Sequence, residues 1–398
     1  MPPLPDYPEA LEAATAPAWN RTPVFEVDLP DAHDHVLAEP LVADRDLPPF
    51  NRSAMDGYAI RHKDLASDTT VPCTGFIAAG STEATSTPEG SCIRIATGAP
   101  VPADLDTVIP HELSDRGSPV TFTTVVEQGN AIHRRGSDAE AGDVLCAAGT
   151  KLRSVELGLA AMTGRASLRV HQPARIAIVS SGDEIVPVES KPEDHQVRNS
   201  NLTMIRDLVQ RMGGVVVSEC WVPDEPEQTM AAITNDDVDM IITIGGISAG
   251  ERDAFRDPIE SIATISPVRG VAMQPGRPVW VTGTGDQNRL RPIISLPGNP
   301  VSALSTCCLF VWPIMRMLHG MSAQLPWTIG RLGSEAQRNP IRRRFRPACL
   351  DSDGTLHIPR WQGSGDLVHA ARSAGLMDID SGTEPVSGGT PVRWLPWP

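Results

Sequence analysis

Between Gln172 and Leu318 the hydrophobic positions follow two rhythms. ARIAIVSS (174–181), VVVSECWV (215–222), VDMIITI (238–244) and RPIISL (291–296) are short apolar runs with little polar alternation, which predicts strands buried on both faces of a sheet. Between them NLTMIRDLVQRMGG (201–214) has helical spacing. Leu202, Ile205, Leu208, Val209 and Met212 share one face, and two glycines close the segment. DEPEQTMAAITND (224–236) opens on Asp224 as a candidate cap with Pro226 behind it, two helix-start signals. After PGNP the chain to Leu318 reads as one long apolar helix. Strands alternating with helices predict a doubly wound parallel sheet, and ligands of such sheets sit outside the carboxyl ends of the strands.

Elsewhere the rhythm is shorter. The first 50 residues hold helix-like stretches and end in the turn-rich DLPPFNRSAMDGYAI, where a Pro-Pro pair and an Asp-Gly exclude helix interior. Short strands between Gly, Pro, Ser and Thr clusters run from about Ala59 to Val126, an all-β pattern. GDVLCAAGTKLRSVELGLAAMTG returns to strand, turn and helix, and from Ala323 onward short strands and turns predict a small β domain of about 75 residues.

Composition narrows the function. Of 398 residues, 49 are acidic and 34 are Lys or Arg, a formal charge of −15, which argues against general nucleic-acid binding. An anionic ligand would then be held locally, by backbone N–H groups, a few arginines or a bridging cation. The seven cysteines form no CxxC pair, so neither a disulfide framework nor a structural zinc site is expected. The N-terminal segment lacks the basic and apolar parts of a signal peptide, and no apolar run of about 18 residues is apparent. A cytoplasmic protein without a membrane span is the expectation.

The strand ends carry the chemistry. They read Ser180-Ser181-Gly182-Asp183-Glu184, Gly245-Gly246-Ile247-Ser248-Ala249-Gly250 and Pro297-Gly298-Asn299-Pro300. One glycine loop is ordinarily a tight turn. Three at one edge of a sheet predict backbone N–H groups free to approach a phosphate. Asp183, Glu184, Asp224 and Asp253 follow strands on the same edge. Singly each reads as a cap or a solvated acid. Together they would repel an anion unless a divalent cation intervened, which predicts a metal-bridged phosphate ligand. Arg342, Arg343, Arg344 and Arg346 read as a solvated strand edge. Trp327, Trp361, Trp394 and Trp397 read as core or domain contacts, with an aromatic groove for a peptide as the less favoured reading.

Seven segments, PPFNRSAMDGYAIR (48–61), RIATGAPVPADLDTVIPHE (94–112), RRGSDAEAGDVLCAAGTKL (134–152), VSSGDEIV (179–186), GGISAGERD (245–253), MQPGRP (273–278) and SLPGNPVSA (295–303), resemble the molybdopterin molybdenumtransferase family, of the MoeA and gephyrin E-domain type. The resemblance implies an α/β plus β multidomain homodimer. Its parts would be a dimerisation and linker domain (1–51 and 136–171), an inserted β-rich domain (52–135), a MogA-like doubly wound α/β domain (172–322) and a C-terminal β-barrel (323–398). It implies an enzyme that inserts molybdate into adenylylated molybdopterin with release of AMP, using Mg2+ or another divalent cation.

Carried over position by position, the resemblance assigns Asp56, Glu184, Asp224, Asp253 and Arg277 to catalysis, with Glu184, Asp224 and Asp253 as metal ligands. It assigns Thr97, Arg135, Asp138, Ser180, Gly182, Asp183, Gly245, Gly246, Ser248, Gly250, Pro297, Gly298, Asn299, Ser302 and Ser364 to ligand binding. The chain departs from the family pattern at two cationic positions, where lysines give way to Gly270 (beside Arg269) and Arg277. Arginine keeps the charge but not the compact donor, so reduced activity is one expectation. The alternative reading is a family paralogue of low activity acting as a gephyrin-like scaffold, with a peptide or protein partner at its C-terminal half.

Overall fold

The computed structural model describes residues 3–66, 70–81, 86–223, 225–234, 237–247, 254–286 and 289–398. Asp224, Ser248, Gly250 and Asp253, all candidate site residues, lie outside the described residues.

The predicted α/β segment is built as expected at its centre. Its strands are β1 (Arg175–Ser181), β2 (Val215–Val222), β3 (Met240–Ile244), β4 (Ile265–Arg269), β5 (Trp280–Thr284) and β6 (Arg291–Leu296), in the spatial order β2-β1-β3-β6-β5-β4. Along β1 the side chains alternate between two buried layers. Ile176 and Ile178 join one core with Ile205, Leu208 and Leu309, while Ala177 and Val179 join a second with Ile233, Phe255 and Ile259. Helices therefore cover both faces: α1 (Tyr7–Thr15), α2 (Ser200–Arg211) and α5 (Pro300–Thr306) on the first, and α3 (Pro226–Ile233) and α4 (Arg256–Ile262) on the second.

Two features differ from the sequence expectation. The sheet is parallel only across β2-β1-β3-β6; β5 runs antiparallel to β6, and β4 antiparallel to β5. Second, β2 is an edge strand with Val215, Val217 and Trp221 exposed, so its apolar run is not buried on both faces. The helix α3 begins after Glu225, which makes no side-chain cap bond, and Pro226 occupies its first turn as expected.

The long apolar helix is three pieces. After α5 a π-helical turn, Cys307–Val311, leads into α6 (Trp312–Leu318). Pro313 lacks an N–H and would crowd the carbonyl one turn back, which a widened turn accommodates. Contrary to the expectation of no such run, Pro300–Leu318 is 19 residues long with mean hydropathy 1.6, but 83% of it is buried inside the protein. It is a core helix by packing.

The remaining sheets flank this body. Gly57–Ile60, Cys73–Ile77, Cys92–Ile95 and Thr107–Pro110 form a four-stranded sheet between two small cores. Val24–Asp28 pairs antiparallel with Ser167–His171 beside the helix Ser154–Met162. At the C-terminus five strands close on themselves, because β7 (Arg343–Leu350) pairs both with Thr355–His357 and with Gly375–Ile379. Met273–Gln274, from the α/β part, joins that barrel in parallel with β7.

Candidate active site

The carboxyl ends of β1, β3 and β6 open into a cleft of about 780 Å³. Ser180, Ser181, Gly182 and Glu184 line it from β1, Gly245 and Gly246 from β3, and Pro297, Gly298 and Asn299 from β6. Each glycine loop has a distinct physical reason. Gly245 and Gly246 have φ of +87° and +55°, in the left-handed region that favours glycine. A Cβ on Gly246 would stand 2.9 Å from both the Phe255 ring and Ser181 Oγ. Gly298 is different: a Cβ there would lie 3.7 Å from Gly245 Cα, an ordinary contact. The fold itself therefore does not demand glycine at 298.

The polar groups of the cleft are partly committed. Asn199 Nδ2 donates to Ser180 Oγ at 2.9 Å and Asn201 Nδ2 to the Gly298 carbonyl at 2.7 Å, tying the start of α2 to β1 and to the β6 loop. Ser181 Oγ and Asn201 Oδ1 are buried without a hydrogen-bond partner among the described residues. Buried polar atoms are rarely left so unless a ligand or ion completes them. With the exposed Glu184 carboxylate they offer hard oxygen donors of the kind Mg2+ accepts. No group of three His, Cys, Asp or Glu side chains that could hold a metal is formed among the described residues; Asp224 and Asp253 fall outside them. Asp183 is exposed and does not line the cleft.

A second hollow of about 240 Å³ adjoins the first and shares Pro278, Pro297 and Asn299 with it. Arg277, Arg342, Ser302, Ser364 and Trp361 line it as well, beside the Met273–Gly276 segment. The barrel reaches α5 here, since Val301 N–H donates to the Ser364 carbonyl at 2.9 Å. Two guanidinium groups beside two serines suit a small oxyanion.

The arginine run is thus not a solvated strand edge. Arg342 lines this hollow. Arg343 is bound by Asp378 at 2.6 Å, Asp380 at 2.7 Å and Asp6 at 3.3 Å, with its side chain 12% exposed. Arg346 lies 4.4 Å over the Trp361 ring. The other C-terminal indoles serve packing: Trp394 is in the barrel core, and Trp327 and Trp397 pack against the large core.

Gly270 is a turn residue at φ +88°, where a Cβ would meet the Arg277 carbonyl oxygen and Leu4 at 3.3 Å. A lysine there would be strained, so its absence is a matter of backbone shape. Arg269 does not fill in for it: its guanidinium pairs with Glu260 at 2.8 Å and lies 5.4 Å from the Trp280 ring centroid.

Four expected site residues lie elsewhere in the chain. The Thr97 N–H (2.7 Å) and hydroxyl (3.0 Å) both donate to Asp56 Oδ1 and hold that carboxyl below its usual range. Arg135 pairs with Asp46 at 2.6 Å, and Asp138 meets His133 at 2.8 Å. None of the four lines the cleft or the adjoining hollow. Sequence reasoning missed Asn199, Asn201 and Trp361 as parts of the site; the RNSN run before an amphipathic helix was the only local signal for the first two.

Comparison with known proteins agrees along the whole chain. The MoeA N-terminal region (domain I and II) matches residues 6–164, the probable molybdopterin binding domain residues 177–317, and the MoeA C-terminal region (domain IV) residues 330–397. Molybdopterin molybdenumtransferase 2 of Mycobacterium tuberculosis is 33% identical over 382 residues, covering 92% of this chain and 93% of the relative. Molybdopterin molybdenumtransferase of Synechococcus elongatus is 30% identical over 396 residues, 96% of each chain. The solved molybdopterin biosynthesis MoeA protein of Pyrococcus horikoshii is 25% identical, with a TM-score of 0.76 over 99% of both chains. A molybdopterin biosynthesis MoeA protein of Pyrococcus horikoshii OT3, at 22% identity and a TM-score of 0.83 over 99% of this chain, shows the same fold. With relatives at 30–33% identity aligned over 92–96% of its length, the chain belongs to the molybdopterin molybdenumtransferase family.

Proposed function

We propose that this chain is a molybdopterin molybdenumtransferase: it takes adenylylated molybdopterin, cleaves the phosphoanhydride with release of AMP, and places molybdate on the pterin dithiolene. One observation carries the reading. The glycine-loop cleft and the Arg277–Arg342 hollow adjoin, with Pro278, Pro297 and Asn299 lining both. The geometry suits a reaction in which a phosphoanhydride breaks beside an incoming oxyanion.

Each group then has a task. The backbone N–H groups of Gly246, Gly298 and Asn299 hold the phosphates; the Gly245 N–H is already donated to the Leu296 carbonyl at 3.0 Å. Arg277 and Arg342, with the Ser302 and Ser364 hydroxyls, hold molybdate against the dithiolene end. A divalent cation, Mg2+ or a similar ion, would be held by Glu184 with Asp224 and Asp253, and would neutralise phosphate charge when bound. Asn199 and Asn201 keep the loops in register.

The residues that do not reach the cleft support a homodimer. Asp56, Thr97, Arg135 and Asp138 are proposed to face the cleft of a second copy, so that the complete site is shared. A cytoplasmic location and four domains with the boundaries given above go with this reading. Arg277 in place of lysine is proposed to lower turnover rather than abolish it. A peptide-docking role for the C-terminal half has no support of its own, since its indoles are engaged in packing and with Arg346 and Arg393. The direct test is to incubate the purified chain with Mg2+, molybdate and adenylylated molybdopterin. AMP release that depends on molybdate is the expected result; no release, beside a competent family member, rejects the function.

A further inference from the structure

Trp221 is an exposed tryptophan with no packing task to explain it. It sits at the end of the edge strand β2, 45% exposed. It is nevertheless fixed: its indole N–H donates to the Gly182 carbonyl at 3.1 Å, and its backbone is in register with Ser180 of β1. Gly182 and Ser180 both line the cleft. Trp221 does not itself line the cleft, but an aromatic ring anchored by its polar edge and partly exposed beside residues that do is a stacking platform.

Strand order decides what would stack there. Across the sheet edge the sequence of groups is Trp221 on β2, Ser180–Glu184 on β1, Gly245-Gly246 on β3, Pro297–Asn299 on β6, then the Arg277–Arg342 hollow. Neighbouring strands stand about 4.8 Å apart, so β2 to β6 spans roughly 14 Å. A ligand laid along this line has its metal-accepting end at the arginines and its phosphates on the glycine loops. Its remaining planar part falls at β2. Resting on the function proposed above, we infer that Trp221 binds the adenine ring of the adenylylated substrate and of AMP by stacking, which makes it a binding residue for the base.

The test is titration of the full-length protein with AMP and, separately, with ribose 5-phosphate, which lacks the base. Trp221→Ala should weaken AMP by roughly tenfold or more and leave ribose 5-phosphate within twofold, while Trp221→Phe keeps most of the AMP affinity. AMP should also quench an emission component of the unaltered protein that Trp221→Phe lacks. Equal AMP affinity in Trp221→Ala and the unaltered protein, or quenching that survives in Trp221→Phe, overturns the inference and leaves the cleft reading intact. Failure of the unaltered protein to bind AMP at all overturns both. Should Trp221→Ala fail to fold, the Phe variant and its emission decide alone.

Discussion

Two glycines of one cleft separate what the fold requires from what the ligand requires. Gly246→Ala forces a Cβ into the left-handed region and to 2.9 Å from Ser181 Oγ and the Phe255 ring. Thermal or denaturant unfolding should show a loss of roughly 2–4 kcal/mol. Gly298→Ala meets nothing closer than 3.7 Å, so its stability should stay within about 0.5 kcal/mol of the parent, while phosphate-bearing ligands bind worse. Equal loss of stability in both would mean that the β6 loop is glycine for structural reasons only. Arg277 belongs to the same scale. A hydrogen bond to a charged group contributes about 1.5–3 kcal/mol, so Arg277→Ala should raise the KM for molybdate roughly ten- to a hundredfold with less effect on the pterin substrate. Arg277→Lys should fall between.

At the level of the element, His319 shows how a helix end becomes sensitive to pH. It follows α6, is 6% exposed, and its Nε2 accepts the Ala174 N–H at 2.9 Å just before β1. Burial pushes its pKa down to about 4, with His171 and Lys151 adding to the effect. A depressed histidine is neutral in the fold but takes up a proton in the unfolded chain below about 6.5. Its contribution is therefore complete above that value and is lost as pH falls toward 4. The shift corresponds to about 3 kcal/mol. Melting curves between pH 7 and 5 should fall more steeply for the parent than for His319→Gln; parallel curves would remove the histidine from the account.

The same scale shows what was legible in the chain. The runs at 174–181 and 238–244 announced buried strands because both faces are covered, and the glycine loops fell at their carboxyl ends as topology requires. Strand direction is not written in burial, so β5 gave no sign of being antiparallel. VVVSECWV is apolar yet exposed, since edge position depends on partners far along the chain. Arg343 could not be told from its neighbours, because Asp378 and Asp380 that bind it come 35 and 37 residues later. Asn199 and Asn201 look like ordinary helix-start residues until Ser180 and Gly298 are brought against them.

At the scale of the molecule, buried charge ties distant parts of the chain together. The barrel is held to the start of the chain by Arg343, whose guanidinium bridges Asp378, Asp380 and Asp6, beside Tyr7 edged against Phe310 and Phe345. Asp378 is 1% exposed at its side chain. Arg343→Ala leaves that acid buried with only the more distant Arg393, 3.9 Å away, and a loss of about 3 kcal/mol, the low end for a broken buried pair, is expected, read as early unfolding of the barrel by hydrogen exchange.

Asp56 and Glu184 give the complementary test of assembly. Both are expected to be needed for turnover, yet within one chain Asp56 is occupied with Thr97 and does not line the cleft that holds Glu184. A two-fold dimer would resolve this by pairing each cleft with the other copy's Asp56. Asp56→Ala and Glu184→Ala homodimers should then both be inactive. A heterodimer of the two, isolated through two different tags, places both lesions in one cleft and leaves the other cleft whole. About half the parental activity should return. A heterodimer as inactive as its parents would mean that each chain works alone, and the role given to Asp56 would have to be abandoned.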